Sequence, residues 1–279
     1  MSKKVLVLSG SPRPRGNTYK IWRLLEERLR ARGDVSVRYV ALGKLNLEPC
    51  RGCLACMRKG EAHCPCKDDA LALRDELLAA DAVVFLSPVY VHTVTGLMKT
   101  FYDRFAYLCH QPRFRSKATL LLTTTELTGT RETLAQMRFV AFTWGFRIAD
   151  ELGIAYPYFV KEGAYRERTL DALERAAGRL WEALTTPRPR PSIKEVAFYY
   201  LLRTKILLHK DHLPHDYAVW QERGWLEHPY FEPGTLGPVR HALGRTLAQL
   251  RVGHLRRELG LDLPPAHAPE LAAAPGPQP

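Results

Sequence analysis

Five of the six cysteines lie in one short segment, Glu48 to Asp69 (EPCRGCLACMRKGEAHCPCKDD). Cys50, Cys53 and Cys56 are each separated by two residues. Cys64 follows after seven intervening residues and directly precedes a proline. Closely spaced thiols closed by a more distant Cys-Pro are typical of a loop that wraps an iron–sulfur cluster. In the bacterial ferredoxin run the last cysteine comes sooner, so the match is in kind rather than in spacing.

Other interpretations of the thiols stay open at this point. A zinc site also takes four thiolates, but its ligands usually come as two separated pairs. Reduced thiols without any ligand are the main alternative to a cluster. Cys66 lies close enough to Cys64 to replace it, whereas Cys109 is expected to be a small buried hydrophobe.

The composition and the first residues indicate a globular protein of a reducing compartment. The 279 residues are 46% apolar and 25% charged, and no apolar run is long enough to span a membrane. The first residues, MSKKVLVLSGS, lack the apolar core of a signal peptide, so we expect a cytoplasmic protein without disulfides. No motif for binding nucleic acid is present, and no nucleic acid partner is expected.

The net charge of +12 is concentrated near the N-terminus, where residues 1–38 hold ten Lys or Arg against three Asp or Glu. This excess fits an anionic small ligand. A solvated basic helix face explains it equally well.

Five short apolar segments predict the strands of a parallel sheet. They span residues 4–9, 35–42, 82–87, 117–123 and part of 147–158, and helical patterns separate them. Five such βα units in about 185 residues predict an α/β fold with a doubly wound parallel sheet. Such sheets bind ligands at the carboxyl ends of their strands, beside the switch in strand order.

The loop after the first strand, GSPRPRGNT, precedes a helix predicted over residues 19–32. A strand, a polar loop and a helix in this order can point backbone N–H groups at a phosphate. The loop is neither a GxGxxG nor a Walker sequence; Ser11, Asn17 and Thr18 would supply neutral donors and Arg13 a charge. This combination favours the phosphate of flavin mononucleotide, FMN. An ordinary loop whose Asn17 or Thr18 caps the helix is the alternative.

Two further loops, PVYVHT and TTELTG, follow the third and fourth predicted strands and should meet the first loop at the same edge of the sheet. Together, GSPRPRGNT, the CRGCLAC…C…KDD segment and SPVYVHTVTGLMKTFYDR resemble the flavodoxin-like NAD(P)H-dependent FMN reductases, and among them the iron–sulfur flavoproteins. The resemblance covers residues 3–185.

The resemblance implies a five-stranded flavodoxin-like domain over residues 1–185 that holds FMN without a covalent bond. It implies that the FMN phosphate lies in the loop of Ser9, Ser11, Arg13, Asn17 and Thr18. The flavin ring would then lie between two segments, formed by Pro88, Val89, Tyr90 and Val91 and by Thr124, Thr125 and Gly129. It further implies a [4Fe-4S] cluster on Cys50, Cys53, Cys56 and Cys64.

After residue 185 the composition changes. A proline-containing connector (TTPRPRPS) leads into a helical, aromatic-rich extension over residues 186–262, and residues 263–279 are predicted to be disordered. The last predicted helix, 237–259, has apolar residues on one side, namely Val239, Leu243, Leu247, Leu250 and Leu255. We expect that helix to be docked with a solvated basic face, and a membrane-surface or partner helix is the alternative.

These expectations combine into an FMN-dependent oxidoreductase that passes electrons between NAD(P)H, FMN, a [4Fe-4S] cluster and an unknown acceptor. No catalytic side chain is needed for this chemistry, and none is assigned. The alternatives are an FMN or quinone reductase without a cluster, a flavodoxin-type carrier that is not an enzyme, and an interaction protein. The family resemblance and the aromatic extension also predict a homo-oligomer, a dimer or a tetramer.

Overall fold

A computed structural model describes residues 2–232 and 234–259, so the tail predicted to be disordered lies outside the described residues. Its centre is a parallel sheet in the order β2-β1-β3-β4-β5. The strands are β1 (Lys3–Ser9), β2 (Val35–Ala41), β3 (Ala82–Pro88), β4 (Ala118–Thr125) and β5 (Arg147–Ala155). The predicted α/β fold with a five-stranded, doubly wound parallel sheet is confirmed.

The helices are α1 (Asn17–Arg30), α2 (Ala55–Arg58), α3 (Ala70–Ala79), α4 (Gly96–Arg104), α5 (Thr130–Thr143), α6 (Tyr156–Phe159), α7 (Ala164–Thr185), α8 (Ile193–Leu208), α9 (Pro214–Glu222) and α10 (Pro238–Leu259). The fifth strand ends earlier than the predicted region because α6 begins at Tyr156. Pro157 lies in the first turn of α6, where its fixed φ suits a helix and its missing N–H costs nothing.

The sheet is covered on both faces, which explains why its central strands are apolar at successive positions. Val5–Leu8 and Ala82–Leu86 are buried throughout. One layer over the sheet comes from α1 and α7, whose buried side chains share a single core cluster with the strands. The apolar positions of α1 recur at helical spacing, and four of them are fully buried: Ile21, Trp22, Leu25 and Leu29.

The chain divides into two compact units. The first, here called the sheet unit, comprises the chain up to Cys53 together with Pro65–Arg188. The second, here called the helical unit, comprises Leu54–Cys64 together with the described residues among 189–259. The sequence-based limits of 1–185 and 186–262 remain predictions.

The helical unit has its own core of aromatic rings. Tyr199 of α8 stacks on Trp220 of α9, with ring centroids 5.9 Å apart, and its hydroxyl donates to the carbonyl oxygen of Trp225 over 2.9 Å. Ser192 and Glu195 form a reciprocal capping box that fixes the start of α8. The aromatic residues after the proline connector therefore form a packed core of the unit.

Helix α10 is docked on α8, but through a different face from the one expected. Ala248 and Val252 are buried, and a Cβ built on Gly244 would lie 2.4 Å from the side chain of Val196. The small residues therefore face α8, since only they permit this close approach. The predicted apolar side is largely exposed, as the exposed fractions show: Val239 69%, Leu243 49%, Leu247 48% and Leu250 66%.

Candidate functional site

The loops that follow β1, β3 and β4 meet at the carboxyl edge of the sheet and enclose a cavity of about 290 Å³. Strand β2 lies on one side of β1 and β3 on the other, so the connections after β1 and β3 run in opposite directions and leave a crevice between them. The cavity is lined by Ser11, Arg13, Gly16, Asn17, Thr18, Pro88, Val89, Tyr90, Thr124, Thr125, Glu126 and Tyr156.

The first loop is held in shape by its own hydrogen bonds. The N–H of Arg13 donates to the Ser11 hydroxyl oxygen over 3.2 Å, and the N–H of Gly16 donates to the carbonyl oxygen of Arg13 over 2.9 Å. Gly16 is the N-cap of α1 and offers no side chain to cap the helix. The first turn of α1 also holds no acidic residue, so the partial positive charge of its N–H groups is not neutralised from within that turn.

A hydrogen bond between two hydroxyl groups joins the first loop to the fourth strand. Thr18 Oγ1 and Thr124 Oγ1 are 2.6 Å apart, and both side chains are almost fully buried. Ser9 lies just behind this junction and accepts from the N–H of Ser11 over 3.3 Å. Ser9 therefore supports the loop and is not among the lining residues.

The loop after β3 is attached to both neighbouring strands. The N–H of Gly10 donates to the carbonyl oxygen of Leu86 over 2.8 Å, and the N–H of Val89 donates to that of Thr124 over 2.8 Å. In addition, the Thr95 hydroxyl donates to the carbonyl oxygen of Gly10 over 2.7 Å. These bonds fix the backbone of Pro88 and Val89 at the cavity wall.

Beyond Val89 the chain makes a tight turn in a strained conformation. Tyr90 and Thr93 exchange backbone hydrogen bonds of 2.9 and 3.1 Å, and the two residues between them, Val91 and His92, both have positive φ, at 49° and 58°. Positive φ is strained for a β-branched residue, at a typical cost of about 1–3 kcal/mol. Val91 is 95% exposed and is not among the residues that line the cavity, whereas Tyr90 is.

Gly129, in the turn after β4, acts behind the cavity wall. Its φ is +91°, and a Cβ built on it would lie 2.7 Å from Cγ1 of Val89 and 3.2 Å from Cα of His92. Only glycine satisfies both conditions. Its absence from the lining residues shows that it positions the strained turn and does not face the cavity.

The structure thus brings most of the predicted flavin-site residues to one cavity and leaves Ser9, Val91 and Gly129 outside its lining. Sequence reasoning missed three lining residues, Gly16, Glu126 and Tyr156. Tyr156 directly follows β5 and so emerges at the same edge as the other loops, a signal that the strand assignment contained. Glu126 lies in a loop that was recognised, but its acidic side chain gave no hint of a flavin.

The five cysteines of the segment differ in their exposure to solvent. Cys50 and Cys53 are exposed, Cys56 and Cys64 are half-buried, and Cys66 is buried with its sulfur 4.0 Å from the carbonyl oxygen of Pro49. Across residues 2–232 and 234–259, no group of three or more His, Cys, Asp or Glu side chains is arranged to hold a metal ion.

A buried ion pair closes the base of the cysteine segment. Arg104, at the end of α4, is paired with the carboxylate of Asp68, and its Nη1 also donates to the carbonyl oxygen of Glu48 over 2.9 Å. Asp68 in turn accepts from the N–H of Glu48 over 2.8 Å and from that of Ala70 over 3.1 Å. Residues 48 and 68, the two ends of the segment, are thereby held side by side.

Burial by itself raises the pKa of Asp68, but the hydrogen bonds from Arg104 and from the Glu48 and Ala70 N–H groups, with the arginine charge, bring that pKa below its ordinary value. Asp68 therefore remains ionised at neutral pH. Asp69 is the N-cap of α3, but its side chain makes no capping hydrogen bond. Its carboxylate instead accepts from the N–H of Asn46 over 2.7 Å.

Comparison with known proteins agrees with this cavity. The family model described as NADPH-dependent FMN reductase matches residues 3–157, which contain the whole sheet and all three loops. The chain belongs to this family. It is therefore an FMN-dependent oxidoreductase, and the predicted relationship to the FMN reductases is confirmed.

Individual relatives carry a more specific name. An iron–sulfur flavoprotein of Archaeoglobus fulgidus is 30% identical over 226 residues, covering 80% of this chain and 100% of that protein. Another iron–sulfur flavoprotein, from Clostridioides difficile, is 35% identical over 124 residues, covering 44% of this chain and 54% of its own. Among solved structures, a flavone reductase matches with a TM-score of 0.51 and 18% identity over 68% of this chain and 67% of its own, which supports the fold.

No helix in residues 2–232 and 234–259 of this FMN reductase family member is both long enough and apolar enough to cross a bilayer.

The ion pair at the base of the cysteine segment yields a prediction about stability. Replacing Asp68 by Asn leaves the Arg104 charge buried without its partner, which typically costs about 3–5 kcal/mol. We expect a loss of this size in the free energy of unfolding, measured by urea denaturation at neutral pH. The matched control is Asp103→Asn, which breaks the exposed Lys99–Asp103 pair and should cost less than about 1 kcal/mol.

The same experiment has a definite pH dependence. Because the folded state lowers the pKa of Asp68, its stabilisation is complete above the unfolded value of about 3.9 and is lost as the pH falls through the lowered pKa. The difference between wild type and Asp68→Asn should therefore shrink in acid. Equal costs for Asp68→Asn and Asp103→Asn at neutral pH would contradict this account.

Proposed function

We propose that the protein binds FMN in the cavity at the ends of β1, β3 and β4, takes reducing equivalents from NAD(P)H and passes them to an acceptor through a [4Fe-4S] cluster on Cys50, Cys53, Cys56 and Cys64. The observation that carries the flavin part is the cavity itself. Three independently predicted loops line it, and it lies beside the switch in strand order, where a flavodoxin-like sheet holds its flavin.

The residues at the start of α1 fit a phosphate group. The first turn presents N–H groups without a side-chain cap or an acidic neighbour, and Arg13 adds a positive charge at the same cavity wall. Ser11, Asn17 and Thr18 add neutral polar groups. We assign the phosphate of FMN to this end of the cavity.

The opposite walls fit a flat aromatic ring. Pro88 and Val89 contribute fixed backbone, Thr124 and Thr125 contribute the end of β4, and Tyr90 lines the cavity while remaining 42% exposed. When bound, FMN supplies a ring that accepts a hydride and gives up electrons singly or in pairs. The protein's part is to hold that ring against a rigid backbone and to leave one side open to NAD(P)H.

The cluster assignment rests on donor chemistry and on the names of the relatives. Four cysteine thiolates are the ligand set that a [4Fe-4S] cluster requires, and such a cluster supplies transfer of one electron at a time. Metal binding often gathers ligands that are apart in its absence, because its free energy contributes to folding. Arg104 and Asp68 would keep the ends of the ligand-bearing segment together while this occurs.

A second candidate function is an FMN reductase without a cluster, in which the cysteines carry no ligand. Its support is the family model that matches residues 3–157, whose description names FMN reduction. For either function, assembly into a homodimer or tetramer remains a proposal from the family resemblance.

The phosphate assignment predicts opposite effects of one substitution on stability and on binding. Asn17→Asp places a carboxylate in the first turn of α1, where it should leave stability unchanged or raise it, because a negative charge favours a helix N-terminus. The same charge should repel the FMN phosphate and weaken FMN binding about tenfold or more, or about 1.4 kcal/mol. Riboflavin, which lacks the phosphate, should bind as tightly as to the wild type.

Fluorescence titration of apoprotein with each flavin measures both affinities. The control is Gln221→Glu, the same chemical change at an exposed position of α9. An unchanged FMN affinity in Asn17→Asp, or an equal loss for both flavins, would show that the phosphate lies elsewhere.

The cluster assignment predicts that Cys53→Ser removes iron and acid-labile sulfide, from about four of each per chain to almost none, while FMN stays bound. Both are measured on anaerobically purified protein, with FMN quantified on the same sample. The control is Cys109→Ser, because Cys109 lies apart from the cysteine segment and contacts the Thr143 hydroxyl. Iron and sulfide that remain at the wild-type level in Cys53→Ser would eliminate the assignment, and wild-type protein without iron would favour the second candidate.

A further inference from the structure

The outer face of α10 is an apolar stripe that nothing in the described structure covers. Val239, Leu243, Leu247 and Leu250 recur at intervals of three and four residues, so they lie along one side of the helix. All four are substantially exposed, the least of them Leu247 at 48%. The stripe extends for about 16 Å, since it spans eleven residue steps of about 1.5 Å each.

The packing of α10 against α8 determines which face of α10 is exposed. Gly244 and Ala248 are the residues that allow α10 to approach α8, and Tyr200 of α8 is hydrogen-bonded to His241 over 2.5 Å. Rotating the leucines inward would drive their side chains into Val196. The sequence thus places small residues inward and the larger aliphatic residues outward, which is the reverse of an ordinary surface helix.

Helix α10 is basic. It carries five arginines and a single acidic residue, Glu258, whose carboxylate already pairs with His254 over 2.9 Å. At about 100° per residue, Arg240 and Arg251 lie along one edge of the stripe and Arg257 continues its line, whereas Arg245 and Arg256 lie toward the α8 side of the helix. The partner must therefore combine an apolar surface with negative charge.

We propose that α10 is a surface anchor that lies on an anionic lipid surface, with its exposed aliphatic stripe in the acyl boundary and Arg240, Arg251 and Arg257 at the lipid phosphates. An exposed helix face that combines leucines with arginines and has little net hydrophobicity has the composition of an interfacial surface. The long arginine side chains can reach the head groups while the stripe is buried. The excess of five arginines over one glutamate within α10 further favours a negative surface.

The same features disfavour two other occupants. Pairing of α10 with a second copy would bring two strongly basic helices together without complementary acidic groups. A specific protein pocket usually engages Trp or Tyr anchors, whereas Leu and Val are under-represented among the residues that dominate such binding. The stripe contains only Val and Leu, which suits a fluid boundary.

The test is flotation of the full-length protein with phospholipid vesicles. Vesicles of phosphatidylcholine are compared with vesicles in which about a third of the lipid is phosphatidylglycerol, at low salt and at about 0.5 M salt. We expect binding to the anionic vesicles at least about tenfold stronger than to the neutral ones, and a clear loss of binding at high salt.

Two double variants test the stripe and the arginines separately. Leu243→Glu/Leu250→Glu should weaken binding to anionic vesicles about tenfold or more, and Arg251→Glu/Arg257→Glu should do the same. The matched controls are Leu71→Glu/Phe139→Glu and Arg168→Glu/Arg175→Glu, which make the same charge changes at exposed positions of the sheet unit. Both controls should bind vesicles within about twofold of the wild type after allowance for net charge.

Retained melting temperature and FMN content would show that each variant is folded. Failure of the wild type to bind anionic vesicles would overturn the proposal. So would unchanged binding of Leu243→Glu/Leu250→Glu. A concentration-dependent dimer that this variant dissociates, or binding to poly-glutamate that replaces binding to vesicles, would instead assign the stripe to a second copy or to an acidic protein.

Discussion

The strands of a parallel sheet all have their carboxyl ends at one edge, and this geometric constraint determines where the protein can bind a ligand. Because β2 and β3 lie on opposite sides of β1, the chain leaves β1 and β3 in opposite directions and opens a crevice there. A hydrogen bond between the Thr18 and Thr124 hydroxyls and one from the Val89 N–H to the Thr124 carbonyl then hold the three loops at fixed distances. The remaining features of the cavity depend on that rigid frame.

A second constraint acts on the cysteine segment. A buried pair such as Arg104–Asp68 carries a large desolvation cost, which its many hydrogen bonds offset, so that removing one partner is far more costly than having neither. In this protein the pair joins α4, the helix that follows the strained turn, to both ends of the cysteine segment. The loop after β3 and the cysteine segment thus share one structural support.

Local pattern predicted much of this arrangement. Buried apolar runs identify strands because both faces of a parallel sheet are covered, and the polar loops after β1, β3 and β4 could be assigned to one edge from topology alone. Nine of the predicted flavin-site residues line the cavity for this reason. Tyr156 could have been added by the same argument, since it follows β5.

Features that depend on distant packing could not be predicted. Asp68 resembles a helix cap in sequence, and its real partner lies 36 residues away. Val91 adopts positive φ because the surrounding bonds require the turn, although a β-branched residue disfavours it. On α10, hydrophobicity indicated the leucines as the buried face, whereas the close approach to Val196 admits only the small residues around Gly244.

The most direct test of the account is the absorbance spectrum of anaerobically purified protein, recorded before and after addition of NADPH, with iron and acid-labile sulfide assayed on the same sample. We predict flavin bands over a broad iron–sulfur shoulder, and bleaching of the flavin bands by NADPH. A colourless protein that does not take up added FMN would contradict the central claim that the crevice between β1 and β3 is a flavin site.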